Sequence, residues 1–109
     1  MKYLLLKLVT DIDLYSGDGG GTEPKIIGQY DQLITAYDKA IKSAENDINK
    51  IQSELSDFEC IDDINFLTMA AFESLLNPNK FVSVCYFNGM YNNGKSNIEY
   101  HYYIAEMEE

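Results

Sequence analysis

The chain has 109 residues, 46% of them hydrophobic, which is enough for one domain with a modest core. Eighteen acidic residues outnumber eight lysines, there is no arginine, and the net charge at pH 7 is −10. Direct binding to nucleic acid or to an anionic membrane surface is therefore not expected, because both need a basic protein surface.

The first predicted element is a long β-strand over residues 2–15, where the side chains alternate between two faces. One face holds Leu4, Leu6, Leu8, Ile12 and Leu14. The other holds Tyr3, Leu5, Lys7, Val9, Asp11 and Asp13. Since the first face is the more hydrophobic one, the pattern predicts a strand that is covered on one side.

The early Lys7 argues against a signal peptide, and no apolar run approaches the roughly 18 residues of a membrane span, so a cytoplasmic location is expected.

A loop is predicted over residues 16–24, with a flexible tip at Gly17–Gly21, before a short strand over 25–30 that forms a hairpin with the first. The glycines lead into a strand and lack the motifs of a phosphate-binding loop, although a mobile partner-binding loop stays open as an alternative. Asp11, Asp13 and Asp18 do not fit the spacing of an EF-hand. No metal or cofactor is expected.

A long helix is predicted from an N-cap at Asp31 to about Phe58. Its apolar residues recur at alternating steps of three and four, as in a heptad seam. The seam consists of Ile34, Tyr37, Ile41, Ala44, Ile48, Ile51, Leu55 and Phe58. Acids flank this seam on both sides and would repel one another in a parallel homodimeric coiled coil. The seam is therefore expected to pack on a sheet and a second helix.

The second helix is predicted from about Asp63 to Leu76, and Asn77-Pro78 ends it. A third strand over 81–87 is apolar on both faces and is expected to be central. After a turn at Asn88-Gly89 or Asn93-Gly94, a fourth strand covers 98–107. The order β-β-α-α-β-β predicts a single α+β domain spanning residues 1–109, in which a four-stranded antiparallel sheet carries a helical hairpin on one face.

Three kinds of residue are candidates for chemistry. Cys60 and Cys85 form no metal or redox motif and are expected to be reduced, partly buried thiols, with one disulfide as the alternative. His101 shares a strand face with Glu99 and Tyr103, a pairing capable of acid–base work, but the absence of a nucleophile motif favours an exposed or edge-strand histidine. The nine tyrosines place rings on both faces of the sheet, so the face without helices is either an interaction surface or simple surface packing.

The acids are concentrated in three segments, and the largest excess covers residues 45–63. Acids on the long helix and in the segment after it are predicted to contact a basic partner, with a merely solvated helix surface as the alternative. The predicted partner-binding residues are Asp38, Glu45, Asp47, Glu54, Asp57, Glu59, Asp62 and Asp63.

Two classes of function fit these patterns. The first is a non-enzymatic protein that binds a basic surface of another macromolecule, for example a nucleic-acid-binding enzyme. In size and charge only, the chain resembles small phage-encoded inhibitors of host defence nucleases, anti-CRISPR proteins included. The second is a small-ligand or enzymatic module built from the glycine-rich loop, His101 and the tyrosines, which requires these groups to line one pocket. The oligomeric state stays open.

Overall fold

The computed structural model describes residues 2–17, 19–21 and 24–108. These residues form six strands and two helices and confirm the α+β class. The strands are β1 (Lys2–Asp13), β2 (Gly19–Gly21), β3 (Lys25–Tyr30), β4 (Glu59–Phe66), β5 (Phe81–Tyr91) and β6 (Ser96–Met107). The helices are α1 (Leu33–Glu54) and α2 (Met69–Leu75).

The strands form one antiparallel sheet in the order β2-β1-β6-β5-β4, and β3 also pairs with β1. The predicted hairpin between the first strand and residues 25–30 is confirmed. The predicted loop tip is wrong in part, because Gly19–Gly21 pairs with Thr10–Ile12 as β2. The predicted third strand corresponds to β5, which is longer than expected and has a neighbouring strand on each side. Strands β1 and β6 pair with each other over twelve residues.

The predicted helical hairpin is wrong. Residues 59–66, which include the first part of the predicted second helix, form edge strand β4 and pair with β5. Only Met69–Leu75 is helical, and it begins where the Thr68 hydroxyl accepts a hydrogen bond from the Ala71 amide at 3.2 Å. Pairing with β5 satisfies the backbone of this segment, and such tertiary pairing overrides a helical spacing of apolar residues.

Helix α1 is shorter than predicted and is not capped by Asp31. Its N-cap residue is Gln32, whose side chain makes no capping hydrogen bond. Asp31 instead accepts a hydrogen bond from Lys2 at 2.8 Å, which lowers the pKa of its carboxyl group. The helix buries Ala36, Tyr37, Ala40, Ala44, Ile48 and Ile51, whereas Ile34 is 48% exposed. Three alanines on the inner face let the helix lie close to the sheet.

The turn between β5 and β6 uses Asn92, Asn93 and Gly94, all of which have positive φ angles. Asn88-Gly89, the other predicted turn, lies inside β5. Glycine is required at position 89 because a Cβ atom there would collide with the Phe58 ring and the Glu59 carbonyl.

Helix α1 covers the face of β1 that carries Leu5, and not the face with Leu4, Leu6 and Leu8 that the sequence pattern predicts to be covered. Leu5 is fully buried in the core, and Tyr3 and Val9 pack against that core. Leu4, Leu6 and Leu8 point to the opposite face and are only half-buried. We call that opposite face of the sheet the open face. The interpretation that the leucine face is the covered one is therefore wrong.

A polar contact joins α1 to the covered face. The carboxylate of Asp47 accepts hydrogen bonds from the Tyr102 hydroxyl at 2.5 Å and from the Lys7 ammonium at 3.1 Å. Tyr102 is fully buried at the centre of the sheet, on β6. Burial, followed by the hydrogen bond to Asp47, raises the pKa of Tyr102 well above its ordinary range. Asp47 thereby connects the helix to the two central strands.

This contact predicts a loss of stability at alkaline pH. The folded chain keeps the Tyr102 proton at pH values where the unfolded chain releases it, so the stabilisation is complete below the unfolded pKa of about 10 and falls as the pH rises above it. The titration of Tyr102 in the unfolded chain should lower the free energy of unfolding by about 1.4 kcal/mol per pH unit above pH ~10. Tyr102→Phe should remove that part of the slope in urea unfolding curves.

Tyr15→Phe is the matched control, because it makes the same change at a side chain that is 80% exposed. Equal slopes for the native chain and Tyr102→Phe would contradict the assignment.

Candidate interaction surface

An acidic surface runs along one edge of the molecule, where α1 lies beside edge strand β4. Glu59 at the start of β4 follows the C-terminal end of α1 by five residues. Just beyond the other end of β4, the Leu67 carbonyl accepts a hydrogen bond from Tyr37, near the start of α1, at 2.6 Å. The helix and the strand therefore run side by side in opposite directions.

Two acids of α1 lie on the flank that faces β4. Asp47 marks the flank facing β1, because it contacts Lys7. At 3.6 residues per turn, Asp38 and Glu45 lie on the opposite flank, and both are exposed. Glu59, Asp62 and Asp63 are exposed on β4 itself. We call the set Asp38, Glu45, Glu59, Asp62 and Asp63 the acidic edge.

The other three predicted partner-binding residues lie elsewhere or have structural contacts. Asp47 is half-buried and contacts Lys7 and Tyr102. Glu54 lies on the same flank as Asp47, 4.0 Å from Lys50. Asp57 is exposed in the connection between α1 and β4, where it accepts a hydrogen bond from the Asn93 amide at 2.8 Å. Sequence reasoning could not separate these roles, because all eight acids have the same chemistry.

The β4 part of the acidic edge has no basic residue close to it in the chain, whereas on α1 Asp38 is next to Lys39 and Glu45 is one turn from Lys42. Residues 51–79 contain no lysine or arginine. Strand β4 pairs irregularly with β5, and the Asp62 amide bonds to the Asn88 side chain at 3.1 Å instead of continuing the ladder. Charged side chains on an edge strand also discourage pairing with another sheet. The carboxylates of Glu59, Asp62 and Asp63 on this edge strand are exposed.

The thiol pKa of Cys60, on β4, is affected by the charges of the acidic edge. Burial is the first cause that raises the pKa of its thiol, and the charges of Asp63 and Asp62 raise it further. Cys85 is buried, and its desolvation raises the thiol pKa to about 12. Both cysteines are free thiols, which confirms that expectation.

Of the groups required for a ligand-binding or enzymatic site, His101 and two tyrosines lie together, whereas the glycines of β2 lie apart from them. His101 lies opposite Leu8 on the open face, whereas the glycines of β2 lie opposite Thr10–Ile12. The His101 ring stacks on Tyr86 and Tyr103, with Nε2 3.3 Å from a carboxylate oxygen of Glu99. This confirms that His101 and Glu99 share a strand face.

Four of the shallow clefts formed by the described residues have volumes of about 270 to 370 Å³, and His101 lines none of these four. The largest lies at one end of the acidic edge and is lined in part by Asp57, Phe58 and Glu59. Within the described residues, no group of histidine, cysteine, aspartate and glutamate side chains could hold a metal ion. Of the helices in the same part of the chain, none combines the length and hydrophobicity that crossing a membrane requires.

Comparisons with protein-family models, curated proteins and solved structures found no significant match to this chain. The geometry and charge of its own residues are therefore the basis for inferring its function.

The acidic edge predicts the reactivity of Cys60. In a double variant Asp62→Asn, Asp63→Asn, the thiol pKa should fall, because two negative charges that disfavour the thiolate are removed. The rate of alkylation by iodoacetamide at pH ~8 should rise roughly two- to fivefold, since the thiolate is the reactive form. Iodoacetamide is uncharged, so the surface carboxylates neither attract nor repel it. The change in alkylation rate therefore reports the thiol pKa.

The control is Asp31→Asn, Glu54→Gln, which removes the same charge away from β4 and should leave the rate unchanged. Peptide mapping assigns the modified thiol, and Cys85 should stay unmodified until the chain unfolds. An unaltered Cys60 rate in the Asp62, Asp63 variant would show that these carboxylates do not act on it.

Proposed function

We propose that this chain is a non-enzymatic binding protein whose acidic edge docks on a basic surface of another protein. The observation that carries the proposal is the placement of five exposed carboxylates on two adjacent elements, three of them within a stretch of 29 residues that contains no base. A surface of one sign attracts a partner of the other sign over several ångströms and orients it before contact.

The partner we propose is a protein rather than a small ion or a nucleic acid. A nucleic acid would be repelled, because its phosphates have the same sign as the edge. The carboxylates are also too widely spread to copy a nucleic acid closely, since Asp38 and Glu45 are about 10.5 Å apart along the helix at ~1.5 Å per residue. Lysine and arginine side chains on a folded surface are long and adaptable enough to meet such spacing.

Nucleic-acid-binding enzymes present such basic surfaces, so an inhibitor of one of them is the role that we favour. Occupying the surface where phosphates bind would block the enzyme without any chemistry by this chain. Phage-encoded inhibitors of host defence nucleases, including anti-CRISPR proteins, have the size and charge that such a role requires. Within the proposal, binding depends on ionic strength, because exposed charges are screened over about 8–10 Å at physiological salt.

The test is affinity capture from a lysate at low and at high ionic strength, followed by mass spectrometry and by rate measurements with the captured partner. A basic protein should be captured at low salt and released at high salt. The edge variant Glu45→Gln, Glu59→Gln, Asp62→Asn, Asp63→Asn should bind this partner at least about tenfold more slowly at low salt, because electrostatic steering is lost.

A control variant with the same net charge separates the effect of the acidic edge from the effect of total charge. Asp31→Asn, Glu54→Gln, Glu106→Gln, Glu108→Gln removes the same four charges outside the acidic edge and should retain nearly the native association rate. Equal losses in the two variants would show that total charge, and not the edge, drives binding. Native affinity in the edge variant would exclude the acidic edge as the docking surface.

A further inference from the structure

The open face of the sheet carries an apolar centre that no element of the described chain covers. Cross-strand partners share a face, so the register defines rows of side chains that run across the strands. Three successive rows begin at Leu4, Leu6 and Leu8 of β1. The first continues through Ala105 to Phe81, the second through Tyr103 to Ser83, and the third through His101 to Tyr86.

The edges of this centre are unusually exposed for such large apolar side chains. Ile26, opposite Leu6 on β3, is 61% exposed, and Phe81 is 48% exposed. Leu6, Leu8, Phe81 and Tyr103 line a shallow depression of about 270 Å³ together with Pro24. An antiparallel sheet that faces water usually presents polar side chains on that side, whereas apolar residues on both faces are typical of a sheet covered twice.

The composition of the open face resembles the centre and rim of a protein interface. Within the three apolar rows, the described side chains include no carboxylate and no lysine. The next row toward the other end of the sheet is polar and consists of Thr10, Glu99, Asn88 and Asp62. An apolar centre rich in tyrosine and poor in charge, bordered by polar residues, is the arrangement found in stable protein interfaces.

The size of the face also fits an interface. Strands β1 and β6 have twelve residues each, which corresponds to roughly 40 Å, and five neighbouring strands span roughly 20 Å. The whole face therefore measures at most roughly 800 Å², the area that each partner contributes to an interface of standard size, and the three apolar rows take up about half of its length.

We propose that a second copy of this chain covers the open face, so that two sheets pack face to face. The chain has a net charge of −10, and two copies can approach closely only through a surface that brings few of these charges together. The three apolar rows are such a surface, and the acidic edge lies outside them. Two copies of one sheet also have the same twist, which aligned sheet packing requires.

In this dimer, α1 lies on the outside of each sheet, the acids of α1 remain exposed, and Asp62 lies at the rim of the interface. Leucine and tyrosine side chains of the two copies meet in the centre, and the stacked ring of His101 is removed from water. The proposal is independent of what the acidic edge binds.

Sedimentation of the full chain at concentrations up to about 100 μM tests the proposal, because an interface of this size supports a Kd in the micromolar range or below. A particle of about 25 kDa, twice the 12.4 kDa of one chain, is expected. Phe81→Glu and Ile26→Glu should each give a 12.4 kDa particle, since either places a charge in the apolar centre. Both side chains are exposed in the single chain, so folding tolerates the change.

Ile34→Glu is the control, because Ile34 is as exposed as Phe81 but lies on α1, and this variant should stay dimeric. Far-UV circular dichroism and the protection of Cys85 from alkylation establish that each variant is folded. A native chain that sediments at 12.4 kDa at the highest concentration overturns the proposal, and so does a dimer that persists in both Phe81→Glu and Ile26→Glu.

Discussion

The hydrogen bonds of Asp47 to Tyr102 and Lys7 are the interaction on which the rest of the arrangement depends. A β-strand has two faces, and in β1 both are apolar, so hydrophobicity alone does not decide which face receives the helix. Tyr102 and Lys7 point to one face only. By bonding to both, Asp47 places α1 over Leu5 and leaves Leu4, Leu6 and Leu8 on the other side.

The two surfaces that we propose for binding both follow from that choice. With α1 over the covered face, its flank with Asp38 and Glu45 lies beside β4, and the acids of the helix and the strand form one edge. The opposite face keeps its apolar rows and no helix. Charge and apolar area are thereby separated on the molecule, which allows one surface to meet a basic partner and the other a second copy.

Much of the fold could be predicted from the sequence because the signals were local. Alternation in residues 2–13, the helical spacing from Tyr37 to Ile51 and the stop at Asn77-Pro78 each depend on neighbours in the chain. Strand β4 could not be predicted in the same way, since Ile64 and Leu67 fit a helical face and only pairing with β5 makes the segment extended. A signal was present in Thr68, a good N-cap residue, which marks the true start of α2.

The sequence shows which acidic residues are candidates for the site, but it does not show which of them lie on one surface. The eight acids were apparent in the sequence, yet their roles depend on which flank of α1 faces β1, and a tertiary contact sets that. Asp47 illustrates the limit, because its position in the heptad is equivalent to that of Glu54, while its carboxylate is half-buried and bonded to Tyr102. The sequence predicts the open face only in part, because its tyrosines indicate an interaction surface or surface packing on the face without helices, whereas the alternation in β1 predicts that the leucines lie in the core.

The most direct test of this account is a double-mutant cycle between Asp47→Ala and Tyr102→Phe, measured by urea unfolding at one protein concentration and neutral pH. A bonded pair at the centre of the sheet should show a coupling free energy of at least about 1 kcal/mol, with Asp47→Ala alone destabilising the chain by about 1–3 kcal/mol. Additive effects within about 0.3 kcal/mol would contradict the claim that Asp47 and Tyr102 hold the helix on this face of the sheet.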